Sequence, residues 1–169
     1  MKQHKNIFVF FLISAVLLIS TVGRATAAAI KTSFTGTEVY VSDVAPGEIF
    51  FSDGNMHIRG IVQSFAVSVS DPRVNGVDTV TINGNFKLVP PPTAFTGPMW
   101  GTFQISNQDG YWEGTWTGER ADNGFSYISV RGEGYGEYEG MKIFIDVERL
   151  SPDPAQPEIL NGYILEPGN

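Results

Sequence analysis

Between Thr79 and Leu88 the chain alternates strictly: Val80, Ile82, Phe86 and Leu88 fall on one face, and Thr79, Thr81, Asn83, Asn85 and Lys87 on the other. A period of two is the signature of an extended strand with one buried face. The same rhythm, rich in Val, Ile, Thr and aromatic residues, recurs over Thr32–Val41, Glu48–Ser52, Met56–Ser70, Met99–Ile105, Tyr111–Glu119, Phe125–Gly134, Met141–Glu148 and Ile159–Leu165. No segment beyond the N-terminus carries a helical period. The chain is therefore read as all-β, with nine candidate strands, the number expected of a small closed barrel or a sandwich.

Turn chemistry separates the runs. Asp53-Gly54, Asp109-Gly110 and Asn123-Gly124 supply residues that tolerate positive φ, as tight hairpins require. Asn83-Gly84 and Asn161-Gly162 look alike on paper, but the alternation continues through both, so they are read as glycines inside strands. Pro90-Pro91-Pro92, followed by Pro98, predicts a stiff loop across one end of the sheet, and Ser151–Pro157 a second stiff connector. Gly132, Gly134, Gly136 and Gly140 leave one face of a strand bare, so that a bulky ring can lie across it; Trp100, Trp112 and Trp116 are the candidates. Trp112 and Trp116 share a face with Gly114 between them, a large-small alternation suited to a barrel interior.

Residues 1–27 read as a secretory signal peptide: Lys2 and Lys5, then an apolar run from Ile7 to Ile19, then small residues ending at Ala27. Export to the periplasm or the medium follows, with residues 28–169 as one domain. Loss of Lys2, Lys5 and Arg24 with the leader leaves 8 basic against 18 acidic residues, a formal charge of −10. Such a charge argues against nucleic acid and anionic membranes as partners. The other apolar segments are too short to span a membrane. With no cysteine and one histidine left after processing, neither a disulfide nor a metal site is expected, and no cofactor is implied. Asp71, Asp109, Asp122 and Asp153 sit beside Pro, Gly or Asn and read as turn residues.

The Gly132–Gly140 segment resembles the glycine-spaced G-x-G-x-[FY]-x-G stretch of the allene oxide cyclase and dirigent-like β-barrels. Asp53–Gly60, Gly97–Phe103 and Gly162–Gly168 are similar to exported bacterial barrels of that type. The resemblance implies a single antiparallel barrel of about eight strands with an apolar interior, often trimeric, holding a lipophilic intermediate. The catalytic residues of the plant enzymes find no matching positions here.

The residues themselves restrict the chemistry. No serine sits in a G-x-S-x-G elbow, which disfavours a Ser-His-Asp hydrolase. Glu113 and Glu119 are opposite in parity to the two indoles and read as solvent-facing, with Arg120 and Arg131 as their surface partners. His57 and Arg59 share a strand face; they could orient an oxygenated ligand, or face water, or Arg59 could pair with a neighbouring glutamate. The indoles could line a cavity, pack as core, or stack on sugar rings. The reading adopted is a small apolar ligand bound without catalysis and lined by His57, Arg59, Trp100, Trp112, Trp116 and Tyr138. A cyclase or isomerase with His57 as acid–base and Arg59 steadying an anion is the alternative, and carbohydrate binding or a structural role the third. Self-association, if a trimer forms, would use the low-charge stretch Val89–Trp100 with Phe95 and Met99; a lid over the barrel's own end is the competing role for that stretch.

Overall fold

In the computed structural model, which describes residues 28–89, 95–151, 153 and 155–168, the alternating runs become nine strands. They are β1 (Ile30–Ala45), β2 (Glu48–Ser52), β3 (Asn55–Val69), β4 (Gly76–Leu88), β5 (Phe95–Ser106), β6 (Gly110–Arg120), β7 (Ser126–Gly136), β8 (Lys142–Arg149) and β9 (Glu158–Glu166). Every neighbouring pair is antiparallel. β1 closes the sheet because it is long enough to serve two partners: Ile30–Glu38 pairs with β9, and Gly36–Ala45 pairs with β3. The result is an eight-stranded closed barrel, with β2 as an additional strand laid on β3 beyond the end of β1. All nine strands belong to the compact unit Ala29–Pro167. No helix among the described residues is long and apolar enough to cross a membrane. Pro90–Pro92, Pro152, Pro154 and Met1–Ala27, the segment expected to be a signal peptide, lie outside the described residues.

Alternation sets the inner wall. On β4 the inward residues are Asp78, Val80, Ile82, Gly84 and Phe86, and the strand runs straight through Asn83-Gly84, as β9 does through Asn161-Gly162. Pro98, expected in a loop, lies inside β5. The ladder to β4 is interrupted there: pairing passes from Gly84 with Met99 to Lys87 with Thr96, so a residue without an N–H is tolerated.

β3 changes face partway along. Met56 and Ile58 point inward, and so do Ile61, Gln63, Phe65 and Val67, which is one step out of phase. The extra residue is absorbed at Arg59-Gly60, where pairing with β4 jumps from Ile58 with Gly84 to Ile61 with Ile82. Gly60 carries φ 66°, the left-handed conformation that a bulge of this kind asks of glycine.

One end of the barrel is packed solid. Val74, in a single 3-10 turn (Pro72–Val74), is fully buried with Trp112, Ile143 and Ile164. The Trp112 indole stacks on Tyr138 at 5.0 Å and donates from Nε1 to the Arg73 carbonyl at 2.8 Å. Arg73 in turn pairs with Asp71 at 2.7 Å and Glu166 at 2.8 Å, tying this turn to the end of β9. The bare glycine face of β7 is covered, as its spacing predicts, but not by an indole. A Cβ on Gly134 would stand 2.6 Å from the Tyr138 Cβ, and one on Gly132 2.6 Å from the Phe103 ring. Trp112, the cross-strand partner of Gly134, stacks on the Tyr138 ring beside it.

Candidate functional site: the barrel cavity

Beyond the solid end the inner wall lines a half-open cavity of about 220 Å³. Most of its lining is apolar, from Val80, Ile82, Phe103, Ile105, Val130 and Val147 among others. A polar row crosses this apolar wall. Glu38 on β1 is the register partner of Glu158 on β9; Glu158 meets Arg149 on β8 at 3.5 Å; Arg149 pairs with Ser126 on β7, and Ser126 with Arg120 on β6. Five successive strands thus present polar side chains to one cavity. Asp78 on β4 joins from the other side of β3, close enough for its charge to act on Glu38.

Burial governs the electrostatics of this row. Glu38, Asp78 and Glu158 are 6–7 % exposed. Withdrawal from water raises the Asp78 pKa to about 7, although the backbone N–H groups of Gln104 and Thr79 pull it down. Glu38 is pushed well above the ordinary carboxylate range by burial first, then by the charges of Asp78 and Glu158, with Arg149 opposing. Glu158 is raised by burial and lowered by Arg149. Arg120 is lowered, by burial and then by the like charge of Arg149. Three buried polar atoms have no partner among the described residues: Asp78 Oδ1, Trp116 Nε1 and Arg120 Nε. Each such group costs on the order of 1–3 kcal/mol when left unsatisfied.

Of the six residues expected to line the cavity, Trp116 alone does so. His57 and Arg59 share a face, as expected, but it is the outer one, because Met56 and Ile58 take the inner positions before the bulge. His57 stacks on Phe50 at 5.0 Å, and its Nδ1 lies 2.8 Å from Asn85 Oδ1. Arg59 donates to the Ile58 and Gly84 carbonyls and to Asn85, with no glutamate at ion-pair distance among the described residues. Its guanidinium lies 5.2 Å from the Trp100 ring, so that indole belongs to the same outer cluster. Trp112 and Tyr138 form the packed end. Arg120, read as a surface partner of glutamates, points inward because it shares parity with Trp116, and its guanidinium lies 4.7 Å over the Phe95 ring. Phe95 and Met99 also line the cavity and are not an outer apolar patch. Glu113 and Glu119 do lie on the outer face. No three metal-ligand side chains converge among the described residues.

Comparison with protein-family models, with curated proteins and with solved structures gives no match, so the functional reading rests on the barrel's own residues.

Proposed function

We propose that this chain is an exported barrel of the allene oxide cyclase and dirigent-like type that binds one small, mostly apolar ligand in its cavity and does not transform it. The observation that carries the reading is the combination of a mostly apolar cavity with Asp78 Oδ1, Trp116 Nε1 and Arg120 Nε, three buried polar atoms unpartnered within the described protein. Ligand sites characteristically pair apolar walls with a few convergent polar groups. Size limits the occupant: an apolar cavity of about 150 Å³ takes a benzene ring, so about 220 Å³ suits one ring with a short polar arm, or a short acyl chain. The outward placement of His57 and Arg59 removes the acid–base pair from the isomerase alternative; in this cavity that role would fall to Asp78, whose pKa of about 7 suits proton transfer near neutrality. Extraction of the purified protein with organic solvent, followed by mass spectrometry, tests both readings. Recovery of small molecules unchanged after incubation supports binding, conversion supports the isomerase, and failure of any candidate to be retained refutes both.

A further inference from the structure

We infer that the ligand is a small carboxylate, its acidic group held at Arg120 and its single ring or short chain lying against the apolar wall beside it, where Met99 and Ile128 flank Gly118 in the strand register. The inference rests on the ligand-binding reading of the same cavity. The two arginines on the polar row are not equivalent. Arg149 has Glu158 at 3.5 Å, whereas Arg120 has no carboxylate within ion-pair distance among the described residues. Its flat face is occupied by Phe95, so recognition falls to the N–H groups on the guanidinium edge, and Nε is buried with no partner among the described residues. A guanidinium edge matches a carboxylate in shape and charge.

Among the described residues, the acids that line the cavity do not discharge this cation. Glu158 is engaged by Arg149, and burial holds Glu38 and Asp78 towards their protonated forms. The unpartnered groups then share one polarity. Arg120 Nε and Trp116 Nε1 are donors, and Asp78 donates when it carries its proton. A cavity offering unmatched donors and an unneutralised positive charge asks for an acceptor-rich anion. The apolar remainder of the wall excludes a highly charged or heavily hydrated one.

The test compares benzoate with its neutral isostere benzamide by NMR titration of the secreted chain. Benzoate is expected to bind roughly ten- to a hundredfold more tightly, the range spanned by one hydrogen bond to a charged group. Arg120→Met should erase that preference, and Arg120→Lys, which keeps the charge, should retain part of it. Equal affinity for the two probes in the wild-type protein, or a benzoate preference that survives Arg120→Met, overturns the inference. Should Arg120→Met fail to fold, the wild-type ratio and Arg120→Lys decide alone. If benzamide binds and benzoate gains nothing, the cavity reading stands and the inference falls; if neither probe binds, both fall.

Discussion

Replacing Asp78 with asparagine should stabilise the protein at alkaline pH and leave it nearly unchanged in acid. The carboxyl is 6 % exposed, and burial lifts its pKa from the ordinary 3.8 to about 7. In the unfolded chain the group ionises near its ordinary value. Between that value and neutrality the unfolded chain has released the proton while the folded one still holds it, so the folded state binds more protons. Stability therefore falls as pH rises through this window and levels off above about pH 7. At about 1.4 kcal/mol per pH unit, the loss is on the order of 4 kcal/mol, an upper bound because buried carboxyls gain water and relax when charged. Asparagine keeps the shape of the neutral form at every pH. Glu38 is shifted in the same direction and is present in both proteins, so the difference between them reports on Asp78 together with its repulsion of Glu38. Urea unfolding followed by tryptophan fluorescence at pH 4 and pH 8 measures it. The variant should gain about 2–4 kcal/mol over wild type at pH 8 and much less at pH 4. A variant no more stable than wild type at pH 8, or a difference that does not grow between the two, would refute the assignment of Asp78 as a buried carboxyl without a counter-ion.

Three further outcomes are expected. Gly134→Val drives a Cβ to within 2.6 Å of the Tyr138 Cβ and should cost about 1–3 kcal/mol of overpacking, read as a lowered thermal midpoint. Arg73 holds the Asp71 and Glu166 carboxyls below their ordinary range. Their contribution is complete above that range and is lost as pH falls through the depressed values, so the stability gap between wild type and Arg73→Met should shrink in acid; a gap independent of pH would contradict the pairing. His57→Ala and Arg59→Ala remove outer-wall groups, and benzoate affinity measured by NMR titration should stay within about twofold of wild type, a change below about 0.5 kcal/mol.

The strands are legible because alternation and turn dipeptides agree along most of the chain, and even the two in-strand glycines, Gly84 and Gly162, are told from hairpin turns, although Asp109-Gly110 turns without positive φ. The cavity's polar row is not legible in this way. Glu38 sat in an expected strand at the parity of Phe34, so its inward face was readable in principle, yet an acid there reads as solvent-facing by habit of composition. Asp78 fell one residue before the expected start at Thr79. Arg120 and Arg149 end their strands beside turns, where charged residues are ordinarily solvated; only closure of the barrel brings them over one cavity. His57 and Arg59 carry the chemistry of a site, but their face depends on which side of the Gly60 bulge they lie, and a one-residue bulge leaves little trace in an alternating pattern.

Crystals grown with saturating 4-bromobenzoate and measured at the bromine absorption edge test the cavity most directly. The expected result is an anomalous bromine peak inside the barrel, among the apolar side chains that line the cavity, with the carboxylate directed to Arg120. A barrel interior without bromine at a concentration that saturates the protein in solution, or bromine confined to the outer cluster of Trp100 and Arg59, would contradict it.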